Sequence, residues 1–358
     1  MRLRVSVVGK VLAASVFAVP AVLLTSASAI RAQGQAPAAA TRAATAWAPA
    51  KTSWGHPDLQ GIWTSNGMAG VPLERAKQHG GRAELTDQEF AERRKRAEMA
   101  SRDDKDNRQG QVGNEQGPTH WYEWFGRASR ATSLIIDPPD GQLPPLSAEG
   151  QKLKPILGTF SPGPFDGPED FNAWDRCITR GMPLAFIPTA YNNAYKIIQT
   201  PTDVVIFFEM LHTFRIIPVD GRPRADSRIQ WWEGNGRGRW EGNNTLVVES
   251  TNFSDKTKGT LPANGSSGED AFTGRMFTGS GAAGRLTERF ARVSQDMIRY
   301  EATVDDPTTF TRPWTMALDL ARDDTYNMYE YACHEGNRAV ENSLRGARVQ
   351  EKAPKRAK

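Results

Sequence analysis

Two regimes of hydrophobic patterning divide the chain. From Tyr195 onward, short runs of β-branched and aromatic residues recur at 195–199, 204–209, 213–218, 228–232, 239–240, 245–251, 286–293, 297–304, 314–320 and 326–332. Most runs have strand length. The polar clusters between them, such as Pro201-Thr202-Asp203, Asp220-Gly221, Gly242-Asn243-Asn244, Ser294-Gln295-Asp296 and Asp323-Asp324, carry turn chemistry. Connections this short join antiparallel neighbours. A hairpin around Gln295 sets Arg289 opposite Glu301 and Phe290 opposite Tyr300, one polar and one apolar pair, as in a sheet with one face buried. About eight to ten successive strands at this spacing predict a mainly β fold, an antiparallel meander barrel or strongly curved sheet of calycin-like type.

Before residue 193 the pattern is irregular and partly helical. Thr86 can cap a helix that opens with Asp87-Gln88-Glu89 and continues over 90–100, polar nearly all round and so with a narrow packing face. The charged, Gly/Asn/Gln-rich run 101–117 reads as an exposed loop. An aromatic cluster, His120-Trp121-Tyr122-Glu123-Trp124-Phe125, follows it. The apolar run 133–136 is then broken by Pro138-Pro139 and Pro144-Pro145, which predicts a traverse across a surface. The organisation expected is a front half at 52–192 packed on a barrel at 193–337, with a terminal helix and basic tail at 338–358.

The first residues carry a different signal. Arg2, Arg4 and Lys10 precede an apolar run at 11–24 and the small-residue exit Ala27-Ser28-Ala29, the pattern of a cleavable signal peptide over 1–29 cut after Ala29. The run contains Pro20 and is shorter than the roughly 20 residues a spanning helix needs, so no stable membrane span is expected. Residues 30–51 read as a flexible leader. Export removes three cations from a formal charge of +4, and this small balance argues against nucleic acid as a partner. The predicted location is the periplasm or the exterior, and the expected partner is a small molecule.

Two cysteines in an exported chain make Cys177 and Cys333 a disulfide candidate, worth roughly 4–5 kcal/mol on the chain-entropy account. Two unpaired buried thiols are the alternative. Cys333 begins Cys333-His334-Glu335-Gly336-Asn337, where a histidine and a carboxylate stand beside the crosslink. This motif, with Asp137-Pro138-Pro139-Asp140-Gly141, Asp220-Gly221-Arg222-Pro223, Gly238-Arg239-Trp240-Glu241 running on to Glu249, Asp305-Asp306-Pro307 and Arg312-Pro313-Trp314-Thr315, resembles a large family of exported bacterial proteins common in soil bacteria. The resemblance runs from about Trp54 to Gln350. It implies export and a shared fold, and assigns no catalytic residue. Separately, Gly61-Ile62-Trp63 is similar to the Gly-x-Trp start of lipocalin-like barrels, with no matching late arginine identifiable from sequence.

Several reactive signatures are absent, namely a haem-attachment Cys-x-x-Cys-His, a zinc helix His-Glu-x-x-His, a Gly-x-Ser-x-Gly elbow and a phosphate loop. Gly279-Ser280-Gly281-Ala282-Ala283-Gly284 matches the dinucleotide fingerprint by letters but lies between a loop and a strand, where that fingerprint has no function. The Gly-rich reach 259–284 reads instead as a mobile loop, a candidate lid. The spacing of His56, His120, His212 and His334 defines no metal set, and no cofactor is expected.

Acid/base chemistry then rests on the histidines. His212, taken to share a face with Ile206, Phe208, Met210, Phe214 and Ile216, reads as a general acid or base oriented by Glu209, or as a core histidine with one backbone bond. His334 with Glu335 reads as a positioned pair at the barrel rim, or as a bend before a helix capped by Asn337. Arg215 or Arg239 would stabilise negative charge. Trp231, Trp232, Trp240, Trp121, Trp124 and Asn337 would contact substrate, the tryptophans also serving as core. Three functions fit: a cofactor-independent hydrolase, lyase or isomerase acting on a small aromatic or carbohydrate-derived substrate, a small-molecule carrier, and a structural envelope protein.

Overall fold

The alternating rows pair into one antiparallel sheet in the computed structural model, which describes residues 47–106, 128–153, 163–189, 191–257, 259–261, 276–279 and 281–352. The expected signal peptide, most of the leader, Trp121, Trp124, the centre of the Gly-rich reach and the last tail residues lie outside the described residues. The strands are β1 (Gly61–Thr64), β2 (Ile135–Asp137), β3 (Ala194–Gln199), β4 (Asp203–Phe208), β5 (Phe214–Pro218), β6 (Asn235–Glu241), β7 (Thr245–Thr251), β8 (Gly259–Leu261), β9 (Met276–Gly279), β10 (Arg285–Ser294), β11 (Met297–Asp305) and β12 (Trp314–Arg322). Two helices, α1 (Asp87–Asp106) and α2 (Ala339–Lys352), flank them.

Nine strands follow one another in the order β5-β4-β3-β1-β12-β11-β10-β7-β6, while β2 pairs with β12 and β8 with β9 in a separate hairpin. The end strands β5 and β6 come together without a backbone ladder, which makes a nearly closed antiparallel barrel with one seam. Contact there is close because β6 turns glycines inward. A Cβ on Gly238 would lie 2.8 Å from Val219 and 3.0 Å from Ile217, and one on Gly236 would lie 3.7 Å from Ile217. The same glycines hide β6 from an apolar pattern, which is why only 239–240 was legible as strand.

The foreseen hairpin has the foreseen register, with Arg289 opposite Glu301 and Phe290 opposite Tyr300. Its inward row on β10 is Leu286, Glu288, Phe290 and Arg292, and on β11 it is Ile298, Tyr300, Ala302 and Val304. Two expected strands are absent. Residues 228–232 form a loop because the Asn252 carboxamide donates to the carbonyls of Asp226 (2.9 Å) and Ile229 (3.1 Å), leaving only a bridge between Trp231 and Phe253. Residues 326–332 run as coil, tethered by the Tyr326 hydroxyl to Glu209 at 2.8 Å.

The front half does more than pack on the outside. Its β1 is inserted between β3 and β12, so the Gly-x-Trp segment opens the barrel. Trp63 is fully buried, donates its indole N–H to the Leu59 carbonyl at 2.9 Å, and has two guanidinium groups near its ring, with Arg292 5.4 Å and Arg322 5.7 Å from the ring centroid. Each contact of this kind is worth about 0.5–1 kcal/mol, or more where desolvated. The run ending in the expected traverse at Pro138-Pro139 contributes β2, with Leu134 and Ile135 buried.

A second front-half segment, 179–187, enters the barrel. Phe186 is fully buried among barrel aromatics, with ring centroids 4.2 Å from Tyr300, 4.9 Å from Tyr195, 5.1 Å from Phe208 and 5.6 Å from Phe290. Tilted and edge-on pairs of this kind add roughly 0.5–1.5 kcal/mol each beyond area burial. The segment is anchored at its start by the Cys177–Cys333 disulfide, which closes a loop across 156 residues. Helix ends follow sequence: Thr86 and Glu89 form a capping box on α1, and Asn337 Oδ1 accepts from the Ala339 N–H at 3.1 Å to cap α2. No described helix is long and apolar enough to cross a membrane.

Because the seam has no space for a side chain at Gly238, Gly238→Val is expected to lower stability by about 1–3 kcal/mol through overpacking. Urea unfolding checks this, with Gly81→Ala, whose Cβ would meet nothing within 4 Å, as the control expected to stay within about 0.5 kcal/mol.

Candidate functional site

Polar residues on the inward rows of four strands converge inside the barrel. Arg215 from β5 forms a fork-to-fork pair with Glu288 from β10, Nη1 to Oε1 at 2.9 Å and Nη2 to Oε2 at 2.6 Å, and Nη2 also donates to Ser250 Oγ of β7 at 3.0 Å. Tyr300 of β11 donates its hydroxyl to Glu288 Oε1 at 2.9 Å, and Met182 of the inserted segment lies 3.8 Å from Arg215 Nη1. All these side chains are withdrawn from solvent. Burial alone lowers the proton affinity of Arg215, but the Glu288 carboxylate more than offsets it and the guanidinium is held charged more firmly than usual. Burial, reinforced by the Glu288 charge, pushes the Tyr300 phenol well above its ordinary value, so it acts as a fixed donor.

One more carboxyl reaches this cluster. Glu233 stands on the turn before β6, which Gly234 shapes at φ +73°, since a Cβ there would lie 2.5 Å from the Phe253 ring. The turn is pinned by backbone bonds from Trp231 N–H to the Asn252 carbonyl and from Ser254 N–H to the Trp231 carbonyl, both 2.9 Å. Glu233 Oε1 accepts from the buried Thr179 hydroxyl of the inserted segment. Its Oε2 is shielded from solvent and has no hydrogen-bond partner among the described residues, although other atoms of the residue keep some exposure. Desolvation raises the Glu233 proton affinity, with the Glu288 charge adding to it and Thr179 and Arg215 opposing. A carboxyl whose proton affinity burial raises, with one oxygen lacking a hydrogen-bond partner among the described residues, is suited to donate to a bound oxygen or nitrogen.

The residues singled out by sequence distribute unevenly around this cluster. Arg215 lies within it. The apolar row assumed for His212 breaks at the β4–β5 connection, where Leu211 (φ +63°) and His212 (φ +55°) are both left-handed. The face therefore flips. Ile206 and Phe208 point inward on β4, but Phe214 and Ile216 are exposed on β5 and Arg215 and Ile217 take the inward positions. His212 is exposed, its ring edge-on to Phe207 at 4.6 Å. Glu209 is fully buried and accepts from the Tyr326 hydroxyl (2.8 Å) and the Tyr329 N–H (3.2 Å), fastening the coil that leads to Cys333.

His334 and Glu335 are exposed in the turn after the disulfide. Beyond capping α2, Asn337 donates to the Asp175 carbonyl and Cys177 Sγ, both at 3.1 Å. Arg239 lies on the outer face between Glu249 (2.6 Å) and Glu241 (3.0 Å). Trp240 packs inward against the core, its ring centroid 5.2 Å from that of His56 and its buried indole nitrogen without a hydrogen-bond partner among the described residues, while Trp231 and Trp232 are half-buried on the Glu233 turn. Among the described residues no three or more His, Cys, Asp or Glu side chains gather where they could hold a metal.

Sequence reasoning passed over Glu233, Glu288, Ser250, Tyr300 and Thr179. Glu288 carried a usable signal, a charge on the inward row between Leu286 and Phe290. Its partner could be found only after the β4–β5 face flip was known. No family model, curated protein or solved structure matches the chain.

The sign of the Glu233 shift sets a pH dependence. A carboxyl whose proton affinity is higher folded than unfolded contributes most below its unfolded pKa, and that contribution is lost as pH rises through its folded value. Wild-type stability is therefore expected to fall as pH rises from about 4.5, the ordinary glutamate value. Glu233→Gln should flatten that decline in urea titrations across the window. A decline of equal slope in the variant would show that another group causes it.

Proposed function

We propose that this is an exported β-barrel protein that performs acid/base chemistry on a small molecule, with Glu233 as proton donor and the Arg215–Glu288 pair as its fixed electrostatic partner. The observation that carries this reading is Glu233 Oε2, buried without a hydrogen-bond partner among the described residues and within the electrostatic reach of Arg215. Leaving such an oxygen unpaired costs about 1–3 kcal/mol, which a ligand group in hydrogen-bond contact would relieve.

In this reading Glu233 gives the proton on Oε2 to the departing oxygen of an ester, ether or sugar derivative as the carbon–oxygen bond breaks; either the oxygen of a water bonds to that carbon and its proton returns to Glu233, or the neighbouring C–H gives its proton to Glu233 and its electron pair to a new carbon–carbon double bond. The carboxylate formed lies in the field of Arg215, and Trp231 and Trp232 beside it offer flat apolar surface. Export is supported by the leader pattern, by the resemblance to exported bacterial proteins and by the disulfide, which persists in oxidising compartments. A structural envelope protein is the second reading, favoured by the Phe186 insertion, which fills much of the barrel with side chains.

The test is a turnover screen of the mature protein against aromatic esters, aromatic ethers and modified sugars, with Glu233→Gln, His212→Ala and His334→Ala alongside. Loss of at least about 100-fold in kcat for Glu233→Gln, with KM little changed, is expected of a general acid. Turnover that survives Glu233→Gln and is lost in either histidine variant would return the chemistry to the imidazoles. Binding without turnover, weakened by Glu233→Gln, would make the protein a carrier.

A further inference from the structure

Arg180 is buried with 6 % of its surface exposed, yet its surroundings differ from those of Arg215 in the same barrel. Arg215 has a carboxylate on its fork. Arg180 makes one hydrogen bond among the described residues, from Nη1 to the Ile187 carbonyl at 2.9 Å, and its Nε is buried with no partner. Its guanidinium lies over the Trp174 ring, 5.0 Å from the centroid. The groups acting on its charge are the phenols of Tyr195, Tyr191 and Tyr331, with no carboxylate among them, and burial brings its proton affinity down to about 10.

The segments around Arg180 are joined covalently. Arg180 follows Cys177 by three positions and Tyr331 precedes Cys333 by two, so the disulfide draws the cation and the phenol together from segments far apart in sequence. Tyr331 and Tyr191 are linked by a side-chain hydrogen bond. Tyr195 is engaged differently, donating toward the carbonyls of Ala185 and Phe186 and meeting Ser65 Oγ at 2.9 Å. A buried cation without a counter-charge is costly unless a ligand supplies one, and a guanidinium fork matches a carboxylate.

We propose that Arg180, with Tyr191, Tyr331 and Trp174 around it, binds the carboxylate of a small aromatic acid. The acid's two oxygens take the unused donors of Arg180, and its ring meets the tyrosine and tryptophan side chains. Aromatic walls make the class narrower than anions in general, because acetate or phosphate would leave that apolar surface unmatched. The site shares no contact with Glu233, whose bond to the inserted segment is made by Thr179.

The test is calorimetric titration of the oxidised wild-type protein with benzoate, and with benzamide, acetate and inorganic phosphate as comparators. Benzoate should bind at least about tenfold more tightly than any of the three, and Arg180→Gln should weaken it at least tenfold while Glu233→Gln leaves it unchanged. Should Arg180→Gln not fold, Tyr331→Phe replaces it and is expected to weaken benzoate about three- to tenfold. No benzoate binding, or equal binding by the Arg180 or Tyr331 variant, overturns the site. Equal affinity for acetate or phosphate overturns the aromatic class. Loss of benzoate binding in Glu233→Gln would show that the two sites are one.

Discussion

Arg215 and Glu288 meet across the seam where β5 and β6 close the barrel without a backbone ladder. The pair, extended by Ser250 and Tyr300, ties β5 to β7, β10 and β11 from inside. Two charges taken out of water cost several kcal/mol each, and the cost is offset here because the fork geometry is complete and Ser250 and Tyr300 supply further bonds. Arg215 also brings positive charge to bear on the nearby Glu233. Closure of the fold and tuning of the candidate site therefore rest on the same two side chains.

The segment 179–187 organises what lies around that pair. It is fixed at one end by the Cys177–Cys333 disulfide and further along by Phe186 among four barrel aromatics. Between those anchors, adjacent residues have different partners: Thr179 bonds Glu233, and Arg180 lies over Trp174 within the electrostatic reach of the tyrosines. One inserted stretch thus supplies a neutral polar contact to Glu233 and a buried cation to the aromatic side chains around Arg180. Glu209 and Asn337, both candidates for chemistry by residue type, instead hold the segment that carries Cys333 in place.

Legibility from sequence followed locality. The β10–β11 register, the bounds of β7, the cysteine pair and the caps on both helices depend on alternation, turn chemistry and short-range bonds, and these were readable. The face of β5 was not, because two consecutive left-handed residues at 211 and 212 shift parity and nothing in Leu-His announces that conformation. The apolar run at 326–332 looks like a strand, yet β12 is already flanked by β1, β2 and β11, so it finds no place in the ladder. β1 was visible as Gly-x-Trp, whereas its insertion between β3 and β12 and the two arginines on Trp63 are products of tertiary packing. The buried ionic cluster was half readable: Arg215 stood out by charge, but Glu288 could be recognised as its partner only from the closed barrel.

The dependence of the closure on that ion pair is tested most directly by amide hydrogen exchange combined with urea unfolding of Glu288→Gln. Removing one charge leaves Arg215 buried and uncompensated, so the account predicts a loss of about 3–5 kcal/mol, with the amides of β5 and β6 losing protection before those of β10 to β12. A change below about 1 kcal/mol, or protection that falls evenly around the sheet, would contradict it.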